Sequence, residues 1–104
     1  MECHYEIKGL SLTIYVPAEL DHHAAKTIQQ DVDSMIASYS IHTVIFDFEN
    51  TEFMDSSGIG VILGRCRNLS FSGGKVKAVN LHSARVRKIF TMAGLYKLIE
   101  VENG

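Results

Sequence analysis

Thr43-Val44-Ile45-Phe46-Asp47-Phe48 is the stretch on which the fold turns. All but Asp47 are β-branched or aromatic, residue types that suit a pleated, buried surface. A run this continuous, without polar alternation, predicts a strand at the centre of a sheet with both faces covered. Downstream, residues 49–55 form a polar segment with Phe53 and Met54 embedded. Then Ile59, Ile62, Leu63, Cys66 and Leu69 recur at helical spacing and predict a helix over residues 56–68. Ser72-Gly73-Gly74 closes that helix, and residues 75–79 supply another strand. Val86, Ile89, Phe90 and Met92 mark a helix over residues 83–93. Gly94 is placed to end it in a left-handed cap, and residues 95–101 complete the chain as a last strand.

Upstream of the central run, Asp21 is placed to cap a helix whose apolar face is Ala25, Ile28, Val32, Met35, Ile36 and Tyr39. Its opposite face carries Lys26, Gln29, Gln30, Asp33 and Ser34 and reads as solvated. Residues 5–7 and 10–16 alternate apolar and polar residues around Lys8-Gly9, the pattern of an opening hairpin, and Pro17-Ala18 ends its second strand. The order is therefore β-β-α-β-α-β-α-β. Strands alternating with helices require crossovers, so the expected architecture is α/β. It is a single domain over residues 1–104, with a mixed, mostly parallel sheet of about five strands and three main helices.

The bulk properties narrow the function. A chain of 104 residues with 46% apolar residues and a net charge of −2 has the make-up of one globular domain, without the positive surface that binds nucleic acid or anionic lipid. No apolar stretch approaches the roughly 18 residues of a membrane span, and Met-Glu-Cys-His-Tyr-Glu does not read as a secretion signal, so a cytoplasmic protein is expected. Cys3 and Cys66 have no metal-like spacing and are expected as free thiols. His22 and His23 are adjacent on a helix and do not share a face, so neither a metal nor a cofactor is implied.

In open α/β sheets, partners meet the loops at the carboxyl ends of the strands. The segment 49–57 is such a loop, and it runs into Asp55-Ser56-Ser57-Gly58. Asp55 is the expected N-cap of the second helix. Ser57 would then lie in the first turn, where free amides accommodate a phosphate. Gly58 and Gly60 would let a partner approach the backbone, and Asp21 and Asp55 would make an acidic patch with Ser57. A plain capped helix start accounts for the same residues. A serine hydrolase would want Gly-x-Ser-x-Gly, but Met54 or Asp55 occupies the first glycine position for either serine. Gly58-Ile59-Gly60-Val61-Ile62-Leu63-Gly64 misses the dinucleotide fingerprint by one residue. Gly60 and Gly64 are instead expected to let the helix pack closely on the sheet. Convergence of Asp21, Asp47 and Asp55 on a magnesium ion is a further reading, set against their simpler use as caps and strand-end residues.

Phe53-Met54-Asp55-Ser56-Ser57-Gly58-Ile59-Gly60-Val61-Ile62-Leu63-Gly64-Arg65 resembles the signature of the STAS domain, in the form found in anti-sigma factor antagonists of the sporulation type. Glu19-Leu20-Asp21-His22-His23-Ala24 and Arg87-Lys88-Ile89-Phe90-Thr91-Met92-Ala93-Gly94-Leu95 agree with it in register. The resemblance implies a binding protein, not an enzyme. Its unphosphorylated form would bind an anti-sigma factor that is also a serine kinase and so free a sigma factor. Phosphorylation of the second serine, Ser57, would switch it off, and a serine phosphatase would reset it. Asp21, Asp55, Ser56, Gly58 and Gly60 would belong to the partner-binding surface, with no nucleic acid, membrane or cofactor involved. A STAS domain in another signalling assembly, such as a stressosome-like scaffold, is the alternative. Ala18, after Pro17, stands where the family has Gly, and Ala93 where it often has Ser.

Overall fold

The central position expected of the first quoted run follows from strand pairing. The computed structural model describes residues 3–102. β1 (His4–Lys8) pairs antiparallel with β2 (Ser11–Tyr15) through a turn in which Gly9 takes φ +59°, a conformation that favours glycine. β2 then pairs parallel with β4 (Thr43–Asp47), β4 with β6 (Lys75–Val79), and β6 with β7 (Glu100–Glu102). The sheet order β1-β2-β4-β6-β7 leaves β4 in the middle. Three helices cover the sheet: α1 (His22–Tyr39), α2 (Ser56–Ser70) and α3 (Ala84–Met92).

The expectation that β4 is covered on both faces does not hold. The register aligns Leu12 with Val44 and Val76, and Ile14 with Phe46 and Ala78, and all six are buried. Thr13, Ile45 and Lys77 on the opposite face are only half-buried. One buried cluster joins the first face to Ile28 and Val32 of α1, Ile62 and Leu69 of α2, and Val86 and Phe90 of α3. All three helices therefore share one side. Ile45 owes its partial burial to its cross-strand neighbours, which a single strand's sequence does not reveal. Each wholly buried Leu, Ile or Phe on the covered side contributes about 1.5–3 kcal/mol of apolar transfer.

Three further departures have local causes. Residues 95–101 are not one strand, because Gly94, at φ +71°, turns the chain into a short 3-10 helix, Leu95–Lys97. That turn buries Leu95 and sets Tyr96 edge-on to Phe90, ring centroids 5.7 Å apart, leaving only Glu100–Glu102 to pair. Tyr39 and Met92, expected on apolar faces, are exposed because each is the final residue of its helix. The segment 49–55 also hides a two-residue strand, β5 (Phe53–Met54), which pairs parallel with β3 (Glu19–Leu20).

α1 and α2 are clamped by a polar contact. Arg65 is buried, with Nε 3.0 Å from Asp33 Oδ1, and Asn68 Nδ2 donates to the same oxygen at 3.0 Å. The Arg65 pair is an ion pair without hydrogen-bond alignment, and Nη1 is buried with no hydrogen-bond partner. Burial pulls the guanidinium's pKa down, and Asp33 opposes that shift.

Candidate functional site

The site is assembled by the small ladder that the sequence concealed. Glu52 N and Phe53 N donate to Ala18 O at 2.8 and 3.1 Å, and the buried Thr51 hydroxyl donates to Val16 O at 3.2 Å. The chain leaving β4 is thus tied to the chain leaving β2. The pairing runs Glu19 with Phe53 and Leu20 with Met54, so the next residue on each side, Asp21 and Asp55, begins a helix at the same end of the sheet. Both are extended N-caps: Asp21 Oδ1 accepts from Ala24 N at 3.0 Å, and Asp55 Oδ1 from Ser57 N at 2.8 Å. The two capping aspartates therefore start their helices from adjacent strands, Asp55 two residues before Ser57. Asp47 instead accepts from Glu49 N and Asn80 Nδ2. Among the described residues no group of three His, Cys, Asp or Glu side chains could hold a metal ion.

Ser57 is the second residue of α2 and half-buried, while Ser56 beside it is exposed. The backbone of Ser57 is fixed by Asp55, and its hydroxyl makes no hydrogen bond among the described residues. It opens onto a groove of about 460 Å³ between α1 and α2, lined by His22, Ala25, Lys26, Gln29, Ser57, Gly60 and Val61. His22 and Ser57 share this groove, yet no hydrogen bond joins them, and the carboxylate of Asp21 is engaged with its helix amide. Among the described residues no base is hydrogen-bonded to the Ser57 hydroxyl. A second depression, of about 480 Å³, is lined by Glu49, Thr51, Glu52, His82, Ser83 and Arg85. There His82 Nε2 lies 2.9 Å from Glu49 Oε2, the Thr51 hydroxyl donates to Val16 O, and Ser83 Oγ caps Val86 N.

The structure separates Gly58 from Gly60. A Cβ on Gly58 would lie 2.8 Å from Met54 Sδ and 2.9 Å from Leu20 Cδ2, so the buried Gly58 is what lets α2 sit on the β3–β5 ladder. It is not on the open surface. A Cβ on Gly60 or Gly64 would meet nothing within 4 Å, so neither mediates close packing, and Gly60 faces the groove. The surface is also not simply acidic, because His22, His23 and Lys26 are exposed beside the two capping aspartates. Lys26 and Gln29 were missed as site residues because a polar stripe at helical spacing reads as a solvated face. The available signal was their spacing from His22, which puts all three on one side of α1.

The STAS-domain profile matches residues 2–104 of this chain. The chain belongs to the STAS-domain family. It is 35% identical over 95 residues to the anti-sigma F factor antagonist of Lysinibacillus sphaericus, covering 88% of this chain and 80% of that protein. The structure of the anti-sigma factor antagonist SpoIIAA in its unphosphorylated form superposes with a TM-score of 0.86 at 35% identity, over 96% of this chain and 87% of that one. The Bacillus cell fate determinant SpoIIAA in the phosphorylated form gives a TM-score of 0.77 at 34% identity, over 96% and 90% of the two chains. The helix and sheet arrangement is thus that of the STAS domain. Among the described residues no helix is long and apolar enough to cross a membrane.

Proposed function

We propose that this chain is a cytoplasmic anti-sigma factor antagonist that is itself the substrate of a kinase. Unphosphorylated, it binds an anti-sigma factor with serine kinase activity and frees a sigma factor. Phosphorylation of Ser57 ends that binding, and a serine phosphatase restores it. The observation that carries this reading is the state of Ser57: its backbone is held by Asp55 at 2.8 Å while its hydroxyl stands unengaged on the groove edge. The similarity to anti-sigma factor antagonists, one of them solved in a phosphorylated form, supports it.

In the modification step the Ser57 oxygen attacks the γ-phosphorus of ATP, the bond to ADP breaks, and the hydroxyl proton passes to a base on the kinase. This chain supplies the hydroxyl and its placement. The added dianion lies in the first turn of α2, at the positive end of the helix dipole, so the fold persists. At the interface the same dianion, beside Asp55 and against a surface shaped for a hydroxyl, meets like charge and desolvation. Incubating the protein with candidate anti-sigma factor kinases, ATP and magnesium, followed by mass mapping, tests the assignment. One phosphoryl group on Ser57, absent in Ser57→Ala, is expected. Modification of Ser56 alone would contradict it.

A further inference from the structure

Across the groove from Ser57 stands a cation that the switching cycle above does not use. His22, Lys26 and Gln29 project from one side of α1, while Ser57, Gly60 and Val61 form the wall on α2. Lys26 is exposed and takes part in no ion pair among the described residues. The two capping carboxylates, Asp21 and Asp55, each accept from the first turn of their own helix. The groove is open beside Ser57 because Gly60 puts no side chain into it. A lysine in no ion pair among the described residues therefore lines the same groove as the serine that becomes a dianion.

The geometry points to an intramolecular cradle: once Ser57 is phosphorylated, the Lys26 ammonium, flanked by His22 and Gln29 as hydrogen-bond donors, holds the phosphoryl oxygens in the groove against α1. This inference rests on Ser57 being the phosphoacceptor. Lysine suits the task as a compact, flexible point charge with three donors, and a phosphoserine opposite basic side chains gains one to three charge-assisted hydrogen bonds. The cradle draws the phosphoryl group off the helix end and fills the groove with the protein's own anion. A partner that used the groove in the unmodified state then finds it occupied.

The test reads the phosphate itself. Phosphoserine is installed at position 57 by genetic encoding in the full chain, and its phosphorus NMR signal is titrated in the parent, in Lys26→Gln, and in Lys88→Gln on α3 as a control. A cation near the phosphate favours the dianion and depresses its second pKa below the ordinary value of about 6. His22 and His23 lie at the same end of α1. Asp21 and Asp55 oppose that depression, and all four groups are common to the three proteins. Lys26→Gln is expected to raise the pKa by about half a unit, with Lys88→Gln unchanged. A Lys26→Gln titration coincident with the parent would overturn the cradle. Because the phosphoserine is installed directly, this outcome is separate from any kinase's failure to modify Ser57, which would count against the proposed function instead.

Discussion

Leu20 and Met54 pair across a two-residue parallel ladder, and both press on the backbone of Gly58. That contact fixes how the first turn of α2 meets the β3–β5 ladder, and with it the position of Ser57. Gly58→Ala places a methyl group into both side chains and is expected to cost about 1–3 kcal/mol in chemical denaturation, as overpacking does. Gly60→Ala meets no neighbour and, by helix propensity, should add up to about 1 kcal/mol. It should also weaken binding of the anti-sigma factor, because the new methyl enters the groove. Equal stability effects for the two substitutions would contradict this division of roles.

Asp21→Asn separates capping from charge. Asparagine caps a helix about as well as aspartate, so the bond to Ala24 N survives and the thermal midpoint should stay within about 2 °C. The association rate with the kinase should change, and its dependence on salt should weaken, if Asp21 belongs to the electrostatic surface that the partner reads. Stopped-flow mixing at two ionic strengths checks this, and an unchanged salt dependence would remove Asp21 from that surface.

Asp33 and Arg65 test the clamp between α1 and α2. The Arg65 side chain is 7% exposed and that of Asp33 39%, so Asp33→Ala strands a buried guanidinium that water reaches only in part. The expected loss is about 2 kcal/mol, below the roughly 3–5 kcal/mol of a fully buried broken pair. Exchanging both partners, Asp33→Ala with Arg65→Met, should recover most of it in urea titrations. A double variant no more stable than Asp33→Ala alone would contradict a stranded guanidinium as the source of the loss.

Tyr5 ties β1 to α1 by donating its phenolic proton to Asp31 Oδ2 at 2.7 Å. Burial, and then this bond, hold the phenol's pKa well above its ordinary value. A pKa raised in the folded state gives a contribution that is complete below the unfolded value, about 10, and is lost as the pH rises beyond it. The thermal midpoint should therefore fall more steeply between about pH 9.5 and 11.5 in the parent than in Tyr5→Phe. Parallel curves would contradict the assignment.

Legibility in the sequence followed the length of each pattern. Ile28 and Val32, Ile62 and Leu69, Val86 and Phe90 repeat over enough turns to locate three helices, and Asp21, Asp55 and Gly94 mark their ends by backbone chemistry. Two-residue strands have no period, so Glu19–Leu20 and Phe53–Met54 were invisible as a ladder. Without that ladder's register, Gly58 and Gly60 are indistinguishable, since which of them faces Leu20 and Met54 is a tertiary fact. Ile45 misled for a related reason: cross-strand neighbours can half-bury a residue that no helix covers. Lys26 lay on a face whose polarity is ordinary, and only the approach of α2 makes that face part of a groove.

The central claim is that one phosphoryl group on Ser57 controls partner binding with the fold left in place. It is tested most directly by calorimetric titration of the anti-sigma factor kinase with the unmodified and the Ser57-phosphorylated protein, with circular dichroism recorded on both. The account predicts binding at least about a hundredfold weaker for the phosphorylated form, a difference near 3 kcal/mol, with superimposable spectra. Ser57→Asp should share the loss, and Ser57→Ala should bind like the unmodified protein. Equal affinity of the two forms, or loss of binding accompanied by unfolding, would contradict it.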